Sequence, residues 1–365
     1  MTLTKDREAG WLSYRDFVVD AIVRESETAK SFYLVPADGG ALAPYLPGQH
    51  LPIRIATHDR KNSVIRCYTL SDAFNGRHYR LTIKRQGPPA DQPHVPAGVS
   101  SAWFHDHLQR GDVLQAKMPN GRFCLDLSET HPVAFIAGGI GVTPMMSMLN
   151  AISQAECTRE IYFLFALRHG GDHVFRERLL DLRARHATLH MHTLYEQPRP
   201  EDRLGIDFDA VGRIDASLAR KLSAGPNTEY FLCGPPGMMQ AISGHLLDAG
   251  VRQSQIRTES FGPSSLSLQA AMNDKNQRQE SEISVTFQRA GMTVPWTDNA
   301  GTLLELAEAH GIEVEFGCRY GDCATCLTPL ISGEVSYLHP TGAMPDPGTC
   351  LPCSCRPVTS VVLGT

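Results

Sequence analysis

Nine residues, Cys318-Arg319-Tyr320-Gly321-Asp322-Cys323-Ala324-Thr325-Cys326, set three thiols at C-x4-C-x2-C spacing, and three more follow at Cys350, Cys353 and Cys355. Thiolates bind iron, and this triplet with one distant partner has the ligand spacing of a [2Fe–2S] centre, which carries one electron at a time. Four residues between the first two thiols let the backbone arch over a cluster, and Gly321 can take positive φ there without steric cost. N–H groups in such an arch point at the sulfurs and tune the potential. Cys318, Cys323 and Cys326 are therefore the expected metal ligands. Cys353 is the expected fourth, because Leu351-Pro352-Cys353 leads into a closing strand; Cys350 and Cys355 compete with it. Zinc sites use paired C-x2-C units, and structural disulfides belong to secreted chains. Neither pattern marks this sequence.

A second set of chemistry-bearing residues is the strand Arg66-Cys67-Tyr68-Thr69-Leu70-Ser71. Alternation puts Arg66, Tyr68 and Leu70 on one face and Cys67, Thr69 and Ser71 on the other. A flat aromatic ligand that carries phosphate needs an anion partner and a stacking surface. Arg66 offers a forked donor, Tyr68 a ring face and Thr69 a hydroxyl and an N–H for a ring edge. Downstream, Gly98-Val99-Ser100-Ser101 opens an apolar helix-like segment, Ala102–Leu108. Such a turn presents free N–H groups to a phosphate.

A third set is Gly138-Gly139-Ile140-Gly141-Val142-Thr143-Pro144, after the apolar strand His131–Ala137. It departs from G-x-G-x-x-G, with Pro144 in the third glycine's place. Proline is tolerated in a helix's first turn, where its missing N–H costs nothing. Glycines let the backbone approach a pyrophosphate, and the helix N-terminus favours its charge. Arg168 follows a strand end, where it could pair with a 2′-phosphate. Cys233-Gly234-Pro235-Pro236-Gly237-Met238-Met239 follows another strand, Glu229–Cys233.

The elements that must position these residues fall into three blocks. Residues 15–127 read as short strands between turns, without long helical patterns, which suggests a small antiparallel barrel. Residues 128–263 alternate strand and helix: Ile161–Leu167, Asp172–Arg185, Leu189–Tyr195 and Glu229–Cys233. That alternation predicts a doubly wound parallel sheet with its ligand at the strands' carboxyl ends. Residues 264–282 include the polar run Asn273–Glu280 and read as a flexible tether, which would raise the effective concentration of a cluster domain at its electron donor. In residues 283–365 a hairpin, Ile283–Phe287 with Met292–Trp296, precedes an amphipathic helix, Thr302–His310, ended by Gly311.

The 365 residues leave room for two or three domains. With 42% hydrophobic and 20% charged residues the composition is that of an ordinary soluble protein. A formal net charge of -5 argues against nonspecific nucleic-acid binding. The apolar run Val133–Leu149 is broken by Gly138, Gly139, Gly141, Thr143 and Pro144, so it reads as strand, turn and helix, not a membrane span. Residues 1–8 lack a signal peptide's apolar core, and six of the ten cysteines lie beyond residue 317. A reducing cytoplasm is the expected compartment.

With these motifs in place, residues 15–263 resemble the ferredoxin–NADP reductase superfamily, and especially the reductase part of flavohaemoglobins. They share the R-x-Y-[ST] strand, the Gly98–Ser101 turn, the G-G-I-G-V-T-P loop and the closing Phe261-Gly262-Pro263. Residues 283–365 resemble a plant-type ferredoxin of β-grasp fold. The resemblance implies that Arg66, Cys67, Tyr68 and Thr69 hold the flavin, with His50 where flavohaemoglobins carry a flavin-contacting Tyr. It implies FAD, with FMN as the alternative used by phthalate dioxygenase-type reductases. It places Cys233, with Gly234 and Pro235, beside the nicotinamide, and Phe261 over the flavin face. Thr69, Cys233 and Phe261 are thus expected at the reacting centre.

NADH is the expected donor from the oxygenase-reductase relatives, with NADPH kept open by Arg168. The implied path runs from NAD(P)H to FAD, to [2Fe–2S] and then to a separate acceptor protein, a Rieske-type oxygenase or related monooxygenase. A hybrid-cluster protein of nitrogen-oxide metabolism is a second acceptor, and a non-catalytic redox sensor or carrier a third reading. Nothing in the sequence sets the oligomeric state.

Overall fold

The computed structural model describes residues 14–56, 63–87, 98–215, 218, 225, 227–259, 261, 283–297, 300–321, 323–338, 341 and 345–365. The tether at 264–282, Gly262, Pro263 and Asp322 of the cysteine loop lie outside the described residues, as do the first residues of the chain.

The first sheet holds β1 (Arg15–Arg24), β2 (Ala29–Pro36), β3 (His50–Ala56), β4 (Ser63–Thr69), β5 (Tyr79–Lys84) and β6 (Val113–Ala116), in the order β4-β3-β6-β1-β2-β5. β1 pairs antiparallel with both β2 and β6, and β2 with β5. A bridge from Leu70 to Leu81 and a bond from Ser71 N–H to Arg80 O at 2.8 Å bring the end of β4 onto β5. The two edges of the sheet are thereby joined, which is the barrel read from the strand spacing and removes the exposed edges an open sheet would leave. Helix α1 (Val99–Asp106) follows β5.

The second sheet is built from β7 (Val133–Gly138), β8 (Ile161–Leu167), β9 (Leu189–Tyr195), β10 (Ala210–Val211), β11 (Glu229–Cys233) and β12 (Ile256–Glu259), in the order β10-β9-β8-β7-β11-β12. Its pairs are parallel. The helices are α2 (Val142–Gln154), α3 (Arg176–Arg185) and α4 (Pro236–Asp248). Strand order reverses at β7, so the carboxyl ends of β7 and β11 form the crevice where ligands of such sheets bind. β7 is buried along its whole length, as a central parallel strand must be.

α2 starts at Val142, which seats Pro144 inside the first turn. α3 starts at Arg176, not at the Asp172 read from the sequence. Asp172 ends a separate 3-10 turn because its carboxylate accepts from Thr28 Oγ1 at 2.7 Å and lies 3.2 Å from Lys84 Nζ. Phe175 then takes φ 61° before the helix can start.

The last sheet contains β13 (Ser284–Phe287), β14 (Met292–Pro295), β15 (Thr328–Ser332), β17 (Thr349–Cys350) and β19 (Val361–Leu363), with β16 (Val335–Tyr337) and β18 (Cys355–Pro357) paired beside it. The hairpin β13–β14 is antiparallel, and β13 pairs parallel with β19. Helix α5 (Leu303–Ala309) lays Leu303, Leu306 and Ala307 on this sheet. Thr302 caps it: its hydroxyl accepts from Glu305 N–H at 3.2 Å and the Glu305 carboxylate accepts from Thr302 N–H at 2.8 Å.

The described residues fall into two compact units. The second comprises Pro52–Cys67, Asn120–Arg122 and Leu266–Thr365, and the first the remainder.

Candidate functional site

The turn that delivers His50 is fixed from below. Gly48 has φ 102°, and a Cβ there would fall 2.2 Å from Phe123 O and 2.6 Å from Met148 Cε, so only glycine fits. Gly48 N–H donates to Ser147 Oγ at 3.2 Å, and Ser147 Oγ donates to Asp72 O at 2.7 Å. Asn150 Nδ2 donates to the Asp72 carboxylate at 2.8 Å. Helix α2 thus positions both the His50 turn and the loop after Thr69. Ser147 and Asn150 were not singled out in the sequence; their signal is two polar residues within the apolar run Met145–Ile152, and the structure buries both.

On β4, Tyr68 packs its ring edge against Phe104 of α1, with centroids 5.0 Å apart. Thr69 is buried, and its Oγ1 has no hydrogen-bond partner among the described residues. A buried hydroxyl without a partner costs free energy, so Thr69 is suited to an incoming polar ring edge. Arg66 is exposed, with Nη1 donating to Ile65 O at 2.8 Å, and Cys67 is half-buried. Gly98 caps α1 without a side-chain acceptor, leaving the first N–H groups for a ligand. Ser100 and Ser101 are buried; Ser101 Oγ closes the turn by donating to Gly98 O at 3.0 Å and accepting from Gln86 N–H at 3.1 Å. The Val99 side chain lies outside the described residues.

The β7 and β11 loops meet backbone to backbone. A Cβ on Gly141 would sit 2.2 Å from Cys233 O, and one on Gly234 would sit 2.9 Å from Gly138 N. A Cβ on Gly138 would meet Pro235 Cδ at 2.6 Å. Gly139, at φ 53°, has nothing within 4 Å of that position. The glycines therefore divide their work: Gly138, Gly141 and Gly234 let the two loops close on one another, while Gly139 leaves open space for a ligand. Thr143 Oγ1 donates to Ile140 O at 3.1 Å, Val142 and Pro144 are buried in the first turn, and Ile140 is half-buried. Arg168 is exposed just beyond β8, its carbonyl accepting from Gln197 N–H at 2.8 Å.

Cys233 is fully buried, and burial first, then the nearby Glu259 carboxylate, pushes its thiol well above the ordinary range. It is a neutral thiol at physiological pH. Register pairs Cys233 with Glu259 across β11 and β12, and Glu259 Oε1 lies 3.8 Å from His50 Nδ1. Glu259 was not singled out in the sequence. What marks it is an ionisable group at the carboxyl end of a parallel strand, legible only once β12 is known to lie beside β11. Phe261 is 45% exposed.

In the cysteine loop the thiols gather in pairs. Cys318 N–H points at Cys323 Sγ at 3.2 Å, and Cys323 N–H at Cys318 Sγ at 3.4 Å. Cys326 Sγ lies 3.1 Å from Cys353 Sγ, and the Cys318 thiol also reaches Cys353. Two facing sulfur pairs suit a two-iron cluster. Arg319, Gly321 and Ala324 have φ of 58°, 77° and 53°, which curl the arch and turn its N–H groups inward. Arg319 is held by Glu308 and by the Phe316 ring, 4.4 Å from its guanidinium carbon. Cys350 and Cys355 are buried in the domain core against each other.

Comparison with known proteins now decides the family. Three profiles match in order: an oxidoreductase FAD-binding domain over residues 18–124, an oxidoreductase NAD-binding domain over 135–244 and a 2Fe-2S iron-sulfur cluster binding domain over 285–358. The chain belongs to the ferredoxin-reductase family of flavoproteins that carry a 2Fe-2S domain. As a member of that family it is an NAD(P)H-dependent oxidoreductase with seats for FAD, the nicotinamide and the cluster.

Among relatives of this reductase, a flavohemoprotein from Halalkalibacterium halodurans is 37% identical over 254 residues, covering 70% of this chain and 61% of the relative. The chain thus spans less than two thirds of the length of that relative. The crystal structure of the flavohem-like FAD/NAD binding domain of nitric oxide dioxygenase from Vibrio cholerae shares 31% identity, with a TM-score of 0.59 over 69% of this chain and 100% of the other. Phthalate dioxygenase reductase, 21% identical with a TM-score of 0.57, covers 96% of this chain and 98% of its own and has the same fold. Among the described residues, no helix of the reductase is long and apolar enough to cross a membrane.

Proposed function

We propose that this reductase takes electrons from NAD(P)H and delivers them singly to a separate acceptor protein, the oxygenase component of a Rieske-type system or a related monooxygenase. The observation that carries the reading is the meeting of Cys326 and Cys353 in a chain that also closes the Cys233 loop on Gly141. When bound, the flavin accepts a hydride and releases its electrons one at a time, and the cluster carries each in turn.

The residues of the chain have separate tasks. Arg66 and the N–H groups at the start of α1 hold phosphate, Tyr68 flanks the ring and the Thr69 hydroxyl binds its edge. Gly139 gives room for the pyrophosphate of the nicotinamide. Cys233 forms an uncharged wall beside the nicotinamide, since its burial keeps the proton on sulfur. Glu259 orients His50 at the flavin seat, and Phe261 is the exposed ring that covers it. Cys318, Cys323, Cys326 and Cys353 would hold the cluster, the first two as one pair and the last two as the other. A cavity of about 740 Å³ beside Cys326, edged by exposed Leu327 and by Glu313 and His310, is the face offered to the acceptor. Domain limits at 15–127, 128–263, 264–282 and 283–365 and a cytoplasmic location belong to the same reading.

Anaerobic titration with NADH, then with NADPH, tests it, with visible absorbance following the flavin and low-temperature EPR the cluster. The expected result is flavin bleaching and a reduced [2Fe–2S] signal, faster with NADH. Protein that contains flavin and iron but whose cluster neither donor reduces would overturn the reading in favour of a sensor or carrier.

A hybrid-cluster protein is the second acceptor reading. One observation favours it: the 31% identical structure is the FAD/NAD binding domain of a nitric oxide dioxygenase. Steady-state reduction of purified hybrid-cluster protein, set beside an oxygenase component, separates the two.

A further inference from the structure

Cys67 stands between Arg66 and Tyr68 but on the opposite face of β4, with Ile65. That face lies against the cysteine loop. A Cβ on Gly317 would fall 3.4 Å from Ile65 Cγ2 and 2.9 Å from Cys323 Sγ, so residue 317 lies between the strand and that sulfur. Arg54 Nη2 of β3, 3.4 Å from Glu315 Oε1, ties the neighbouring strand to the same loop. The Cys67 side chain meets the sulfur of Cys323 within hydrogen-bonding reach. Two other groups already face that sulfur, Cys318 N–H at 3.2 Å and Thr325 Oγ1 at 3.2 Å.

We infer that the Cys67 S–H donates to Cys323 Sγ and acts as a positioning residue that sets the potential of the iron–sulfur centre. The inference rests on the reading of Cys323 as a cluster ligand. A ligand sulfur carries more negative charge when the centre is reduced, so a donor aimed at it favours the reduced form and raises the potential. S–H is a weak donor, and its effect adds to those of the Cys318 amide and the Thr325 hydroxyl.

The test is an EPR-monitored redox titration of the full-length, cluster-loaded protein and its Cys67→Ala, Cys67→Val and Cys67→Ser variants. Alanine and valine remove the donor at different volumes; serine keeps one. Both donor-free variants are expected to make reduction of the centre harder by roughly tenfold, about 59 mV for one electron, and to shift its g values, with serine staying close to the wild type. A wild-type potential and unchanged g values in a cluster-loaded alanine or valine variant would overturn the inference while leaving the ligand reading intact. Iron content of Cys323→Ser tests that reading separately: a full, unaltered cluster there would remove Cys323 as a ligand, and the inference with it.

Discussion

The sulfur of Cys326 lies 3.1 Å from that of Cys353, although 27 residues separate them in the chain. The pairing supports Cys353 among the three candidates that spacing left open. Cys350 and Cys355 turn into the hydrophobic core, whereas Cys353 turns to the loop. Cys353→Ser is expected to abolish or strongly perturb the cluster signal and to lower iron content, while flavin bleaching by NADH persists. Cys350→Ser and Cys355→Ser should retain the cluster. Iron assay and EPR on the three variants check this, and unchanged iron in Cys353→Ser would reject the assignment.

Glu259 and His50 make a second long-range pair, 3.8 Å apart at the strand ends. Removing the carboxylate charge by Glu259→Gln should slow NADH-driven flavin bleaching by about tenfold, equivalent to about 1.4 kcal/mol in the barrier. The bound flavin spectrum should persist. Stopped-flow absorbance measures both, and an unaltered rate would count against a role for the pair.

Two glycines, one in the β7 loop and one in α4, should respond oppositely to substitution. In Gly141→Ala the new methyl meets Cys233 O at 2.2 Å, a contact that must move backbone. Such overpacking typically costs about 1–3 kcal/mol, and displacement of Cys233 should also slow flavin reduction. Gly244→Ala is the opposite case: within α4, with nothing within 4 Å of the new atom, it should stabilise by roughly 0.5–1 kcal/mol. Urea denaturation of both variants gives the two signs.

His173 predicts how stability responds to acid. Its ring is buried, with Nδ1 2.7 Å from the Tyr195 hydroxyl, and desolvation lowers its pKa to about 4. An unfolded imidazole titrates near 6.5. Between those values the unfolded chain binds the extra proton, so stability is full above about pH 6.5 and falls as pH drops towards 4. From pH 7 to pH 5 the loss from this group is about 2 kcal/mol. Urea midpoints at the two pH values should converge in His173→Gln relative to the wild type.

Much of the architecture was legible in the chain because it depends on local chemistry. Strand alternation in 15–127, strand–helix alternation in 128–263 and the hairpin before Thr302–His310 each follow from hydrophobic period and turn residues. The α3 start was not legible, because Asp172 is pulled aside by Thr28 and Lys84, residues far away in sequence. Glu259 was likewise invisible as a site residue until β12 was placed beside β11.

The sequence by itself determined the donor set: three thiols at fixed spacing, an Arg-x-Tyr-Thr strand, and glycines at a strand end. These are properties of residue type and short spacing, which the chain carries whether folded or not. Only the tertiary structure decided which distant groups meet them. Cys353 rather than Cys350 or Cys355, Glu259 beside His50, Ser147 and Asn150 beneath the barrel loops, and Cys67 against Cys323 all depend on contacts between elements far apart in the chain. Such contacts form when packing of buried faces brings those elements together, and a linear pattern holds no record of that geometry.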